Sequence, residues 1–95
     1  MRYADRRDDN EKGIVKALKQ CGASVYRLSA KGIPDLVVGW CGRLFLLEVK
    51  SATGKLTPAQ VKFQQRWKGP PPIVVRTEWD ALVAIGAVIK RDSYA

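Results

Sequence analysis

Three charged residues stand inside two apolar runs of strand length. Asp35 heads Leu36-Val37-Val38-Gly39, and Glu48 and Lys50 close Leu44-Phe45-Leu46-Leu47-Glu48-Val49-Lys50. Burying unpaired charge costs several kcal/mol per ion, so a strand carries such residues only where something repays the cost. Between the runs lies Trp40-Cys41-Gly42-Arg43, where a glycine makes a chain reversal sterically easy. With a two-residue turn at Cys41-Gly42, facing residues have numbers that sum to 83, and Asp35 stands opposite Glu48. Directly opposed side chains share a face with Cβ atoms about 4.5–5.5 Å apart. Alternation along the strand puts Lys50 on that face and Val49 on the other. A three-residue turn would break this register. Two carboxylates so placed suit a hard, oxygen-seeking cation such as Mg²⁺, which keeps several waters and takes one or two protein carboxylates. The competing reading is a structural ion pair of Asp35 or Glu48 with Lys50.

Two further polar residues bear on this face. Glu11 falls on the apolar stripe of Ile14, Val15 and Leu18, at helical spacing, which points it toward a sheet. It also fits a capping box with Asp8 as N-cap, and the residues alone leave both readings open. Gln60 follows Thr57-Pro58 at the third helical position, where it completes a capping box, and on spacing alone that role is favoured.

The elements that must position these groups follow from periodicity and punctuation. A helix is expected from about Asp8 to Gln20, ended by Gly22, with Lys12, Lys16 and Lys19 off its apolar stripe. Ala23 to Leu28 is β-branched and aromatic and reads as the first strand, followed by a loop carrying Lys31. The hairpin comes next, with Pro34 allowed only at a strand's start or edge. Ser51 to Lys55 is a polar loop, and the helix from Pro58 carries Val61, Phe63 and Trp67 with Lys62, Arg66 and Lys68 on its wetter side. Gly69-Pro70-Pro71-Pro72 stops it. Ile73 to Arg76 is a short strand, Thr77 caps a helix to about Ile85, and Gly86 ends that helix before an apolar Ala87-Val88-Ile89. The expectation is an α/β domain of order α-β-β-β-α-β around a mixed sheet, with an extra C-terminal helix.

Composition bounds the rest. The 95 residues, 46% of them hydrophobic, suffice for one small core, so residues 1–95 are expected to form a single domain. No apolar run approaches the ~20 residues of a membrane span, and the first residues lack a signal peptide's apolar region. A soluble intracellular protein is expected. Cys21 and Cys41 make neither a disulfide framework nor a zinc site and read as reduced packing residues. The chain contains no histidine, which excludes Ser-His-Asp and Cys-His catalysis and leaves metal-assisted carboxylate chemistry open. Seventeen Lys and Arg against nine Asp and Glu give a net charge of +8, which favours a polyanionic partner. Lys31, Arg43, Lys55, Lys62 and Arg66 are the candidate phosphate contacts, clustered in loops and on the helix flanking the carboxylates.

Pro34-Asp35 followed by Glu48-Val49-Lys50 resembles the PD-(D/E)xK motif of restriction-endonuclease-like nucleases. Together with Gly32-Ile33-Pro34-Asp35-Leu36, Leu47-Glu48-Val49-Lys50 and Leu56-Thr57-Pro58-Ala59-Gln60, the chain is similar to the VRR-Nuc family, in its small stand-alone viral form. The likeness runs from about Glu11 to Trp67, with a continuation to Leu82, and so covers most of the chain. It implies a restriction-endonuclease-like core, with Asp35, Glu48 and the Val49 carbonyl as metal ligands and Lys50 as the catalytic lysine. Glu11 would reach the metal directly or through water, and Gln60 would position the lysine or a water. Mg²⁺ is the implied cofactor, with Mn²⁺ substituting, and the location would be the host cytoplasm if the chain is viral.

The expected activity is endonucleolytic hydrolysis of DNA phosphodiesters. Lys50 is expected to act electrostatically, neutralising charge on the phosphate. Some small relatives resemble junction-resolving dimers, which implies a homodimer acting on branched, four-way (Holliday) DNA. Leu82, Val83, Ile85, Val88 and Ile89 offer interface material, with packing against the sheet as the alternative. The functional alternatives are a nuclease without junction preference, a non-catalytic DNA-binding module, and a partner-binding protein without affinity for DNA.

Overall fold

Hydrophobic alternation and helical capping divide the chain into seven elements, and the computed structural model describes residues 9–88. They run α1 (Glu11–Gln20), β1 (Ser24–Arg27), β2 (Leu36–Trp40), β3 (Arg43–Val49), α2 (Pro58–Arg66), β4 (Ile73–Val75) and α3 (Glu78–Ile85). The sheet order is β1-β2-β3-β4. The first three strands are antiparallel neighbours, while β4 returns parallel to β3 after the α2 crossover. This is the mixed sheet and element order the sequence implies.

The β2–β3 register is Leu36↔Leu47 through Trp40↔Arg43, so the expected pairing holds and the strands run on to the two-residue turn. Both turn residues take positive φ, Cys41 at 52° and Gly42 at 73°, the type I′ pattern that matches strand twist. At Asp35 the β2–β3 ladder slips, because the Asp35 N–H donates at 3.0 Å to the O of Leu47, already the partner of Leu36, so that two residues stand against one as in a β-bulge; toward β1 the ladder continues, the Leu28 N–H donating to Asp35 O at 2.8 Å.

One sheet face carries Val25, Leu36, Val38, Leu47, Val49 and Val75, packed against Ile14, Val15 and Leu18 of α1 and Ala81 and Ile85 of α3. By alternation, Glu48 and the buried Leu46 face the other side, where Gln60 in the first turn of α2 reaches Glu48. None of the α2 side chains is fully buried.

The helix ends follow their punctuation. Gly22 and Ala23 close α1 with N–H bonds to Lys19 O and Leu18 O, a Schellman pattern. Thr57 and Thr77 each form a complete capping box, with Gln60 and Asp80 respectively. The start of α1 differs from expectation. Its N-cap is Asn10, which makes no side-chain cap, so Glu11 is the first helical residue and cannot serve a capping box as its third. Asp8 lies outside the described residues. The Asn10 amide instead spans from α1 to the sheet, donating to Lys50 O at 3.0 Å and Arg76 O at 2.7 Å.

Two other expectations are corrected. Cys21 and Cys41 are exposed, unbridged residues at a helix end and a turn tip, because the chain reverses there and no layer covers it. Ile85 belongs to the core and Leu82 packs against it, so these two serve the sheet and are not available as an interface. Ile89 lies outside the described residues. No helix among the described residues is long and apolar enough to cross a membrane.

Candidate active site

The paired ends of β2 and β3 open into a cleft of about 470 Å³. Its lining includes all five residues singled out for chemistry, Glu11, Asp35, Glu48, Lys50 and Gln60, together with Val49 and Lys31. Each is held by a different set of contacts, and the local bonding explains the placement.

Asp35 is pinned by its backbone between β1 and β3, and its Oδ2 accepts the Val49 N–H at 2.8 Å. The β2–β3 register ends at Leu36↔Leu47 and the Asp35 N–H goes to Leu47 O, so the expected direct opposition of Asp35 and Glu48 is corrected: Asp35 is tied instead to Val49, one residue beyond Glu48. Glu48 is 2% exposed and lies among the strands, on the face opposite Leu47 and Val49. Gln60 reaches it from α2, Nε2 donating to Glu48 Oε2 at 2.8 Å, while Gln60 Oε1 accepts the Thr57 N–H at 2.8 Å. The capping role and the site role are therefore filled at once, because a primary amide has a donor end and an acceptor end.

Lys50 follows β3, its N–H bonded to Val75 O at 3.0 Å and its carbonyl held by Asn10. The next loop is fixed by Arg76, whose Nη1 donates to Ser51 O at 2.6 Å and Gly54 O at 2.8 Å. Asn10 and Arg76 thus hold the backbone around the lysine. Sequence reasoning finds neither, because each acts across more than twenty residues of chain with no local pattern.

Glu11 turns toward the sheet, is 2% exposed, and accepts Arg27 Nε at 2.8 Å. Arg27 is likewise absent from the sequence-based candidates, although alternation along β1 puts it on the same face as Val25, toward α1. Among the described residues no three Asp, Glu, Cys or His side chains form a ready-made metal cage. The donors that suit a cation are Asp35 and Glu48, at the open end of the hairpin, with Val49 beside them in the cleft lining. Hard oxygen donors of this number fit Mg²⁺, which completes its shell with water.

The candidate phosphate contacts divide. Lys31 lines the cleft, and together with Lys62 and Arg66 it lines a neighbouring one. Lys55 is exposed in the loop after Lys50. Arg43 is the correction: it lies beside the turn, five residues before Glu48 on β3, and stacks over Phe45 at 5.6 Å. At about 3.3 Å per residue, that is roughly 17 Å from the carboxylates. A hairpin puts its turn at the end opposite its open strand termini, so proximity in sequence misleads here.

No model of a protein family matches the sequence, and no curated protein sequence does. A solved structure described as a VRR_NUC domain is similar to this chain at 27% identity and a TM-score of 0.62, with 80% of this chain and 96% of that one covered. The shared architecture is the small α/β fold with a four-stranded mixed sheet and flanking helices. This likeness supports the resemblance to the VRR-Nuc family drawn from the motifs, and with it a nuclease-type domain.

Proposed function

We propose that the chain is a Mg²⁺-dependent endonuclease that hydrolyses phosphodiester bonds of DNA at the Asp35–Glu48–Lys50 cleft. The observation that carries this reading is the convergence of Asp35, Glu48, Lys50, Gln60 and Glu11 on one cleft, in a fold similar to a VRR_NUC domain. Asp35, Glu48 and the Val49 carbonyl would hold the cation. When bound, Mg²⁺ supplies charge stabilisation to the phosphate and to the leaving oxygen and activates water.

The chain's own residues supply the positioning. The ladder bonds of Asp35 and the Gln60 amide hold the two carboxylates before any ligand arrives, so little reorganisation is needed. The Lys50 ammonium, on a backbone held by Asn10 and β4, neutralises the phosphate oxygens and orients the attacking water. Glu11, anchored by Arg27, closes the cleft from the α1 side and orders water there. Lys31, Lys62 and Arg66 draw the phosphate backbone to the cleft.

The narrower form of the reading is a homodimer that makes paired incisions in four-way junctions. One cleft per chain cannot nick two strands at once, and a two-fold pair is the commonest way to supply a second site.

The deciding experiment incubates labelled linear, flapped and four-way DNAs with the protein in Mg²⁺, in Mn²⁺ and in EDTA, beside Asp35→Asn. The asparagine Oδ1 can still accept the Val49 N–H, so the variant keeps the fold while losing the ligand charge. Cleavage is expected only for the parent chain with a divalent cation. Cleavage in EDTA, or an active Asp35→Asn, overturns the assignment.

A further inference from the structure

Beyond the carboxylate cleft, α2 carries a second feature that cleavage chemistry does not use. Phe63 and Trp67, four residues apart and therefore on one helix face, are stacked with ring centroids 5.2 Å apart and planes inclined by 21°. Trp67 is 42% exposed. An indole left so open loses hydrophobic stabilisation. Yet this ring is held in place: Nε1 donates to Pro70 O at 2.8 Å, and the chain turns closely beneath it at Gly69. A Cβ at Gly69 would stand 2.6 Å from Trp67 Cζ2, so the glycine is required by the closeness of the indole and not by backbone conformation.

The ledge has a cationic border. Lys62 and Arg66, also four residues apart, form the row beside it, and Lys31 lines the same cleft of about 400 Å³ as Phe63 and Trp67. That cleft shares Lys31, Gly32 and Ala59 with the carboxylate cleft, so the two are contiguous. Gly32 and Ala59 keep the junction free of bulky side chains: a Cβ at Gly32 would lie 3.1 Å from Ala59 Cβ.

A preorganised aromatic surface edged with cations matches one ligand chemistry, a planar base attached to a phosphate. We propose that the Phe63–Trp67 ledge is a subsite for an unpaired nucleotide of the DNA strand, whose base stacks on the rings while Lys31, Lys62 and Arg66 hold its phosphates. Bases within a duplex are already stacked on one another and present no face, so the subsite selects single-stranded or unpaired segments next to the cleaved bond. The inference rests on the nuclease reading for the identity of the strand, and on the ledge itself for the stacking.

The test measures binding of a fluorescein-labelled hexathymidylate and of a short labelled duplex by anisotropy in EDTA, so that cleavage plays no part. Trp67→Ala is expected to weaken hexathymidylate binding about ten-fold or more, the usual scale of losing a base stack, with duplex affinity nearly unchanged. Trp67→Phe should retain most of the affinity. Gly69→Ala, which keeps the indole but displaces it, should lose part of it, and melting curves establish that each variant is folded. Hexathymidylate binding unaffected by Trp67→Ala, or an equal loss for both DNAs, overturns the proposal. If the parent chain cleaves no DNA yet shows the Trp67-dependent preference, the nuclease reading fails and the subsite stands. If it cleaves DNA without that preference, the subsite fails and the nuclease reading stands.

Discussion

Gln60 shows how one residue can satisfy two demands that compete at the level of sequence. Thr57→Ala and Gln60→Ala each remove part of the α2 capping box, so each should lower stability by about 1 kcal/mol in thermal melts. Only Gln60→Ala also withdraws the donor from buried Glu48. That variant is expected to lose cleavage rate about ten-fold or more in single-turnover assays, while Thr57→Ala keeps the parent rate. A Gln60→Ala enzyme at full rate would show that its contact with Glu48 is only structural. The ion pair of Glu11 behaves differently. Arg27→Ala leaves a carboxylate at 2% exposure without its guanidinium, and such a loss costs about 3–5 kcal/mol when both partners are buried. Arg27 is itself half exposed, so water takes over part of its role and the expected destabilisation is about 1–2 kcal/mol, read from urea midpoints. Unchanged midpoints would mean that the pair contributes nothing to the fold.

Among the elements, the hairpin and α2 contribute in opposite ways. The hairpin brings both carboxylates to its open end, but its turn contains a local conflict: Cys41 takes φ 52°, a left-handed conformation that disfavours most side chains. Asparagine tolerates this region and Asn-Gly is the favoured pair of type I′ turns. Cys41→Asn should therefore raise stability by about 0.5–1 kcal/mol without changing cleavage, since the turn lies at the far end of the strands from Glu48. A lower melting temperature would show that the cysteine makes a contact worth more than the strain. By contrast, α2 is fastened mainly at its first turn, through Gln60 and the close approach of Ala59 to Gly32. Gly32 has φ 83°, and a Cβ there would stand 3.0 Å from Ala59 O, so Gly32→Ala should both strain the loop and press α2 outward at Ala59. We expect about 1–3 kcal/mol of destabilisation and a fall in rate larger than that of Cys41→Asn, both measured on the same preparations.

For the whole molecule, the net charge of +8 predicts DNA affinity that falls steeply with salt. The slope of log affinity against log salt should approach about −0.9 for each phosphate neutralised, with little sequence preference. Lys31→Ala and Arg66→Ala should each make the slope shallower by about one, whereas Arg43→Ala should leave it unchanged because its side chain stands over Phe45 at the opposite end of the hairpin. A slope near zero would remove the electrostatic argument. Sedimentation without DNA gives the stoichiometry directly. A monomer that nicks linear and four-way DNA equally would eliminate the junction-resolving dimer and leave a general nuclease.

Local rules carried much of this protein. The alternation of Leu36 to Gly39 and Leu44 to Val49, with a glycine between, was enough to set Leu36 against Leu47 and so bring Asp35 and Glu48 to the same end of the hairpin, because strand periodicity and turn length together admit one register; the slip at Asp35 was not legible. Thr57-Pro58 and Gly22 marked helix ends for the same kind of reason, a backbone need met by a neighbouring residue. What tertiary structure decided are the long-range partners. Asn10 abandons the capping of its own helix for carbonyls at Lys50 and Arg76, Arg27 takes Glu11, and Ile85 goes to the core. Trp67 is turned outward and fixed there by Pro70. These outcomes depend on which surfaces meet once the sheet is assembled, and no spacing along a single chain encodes that meeting.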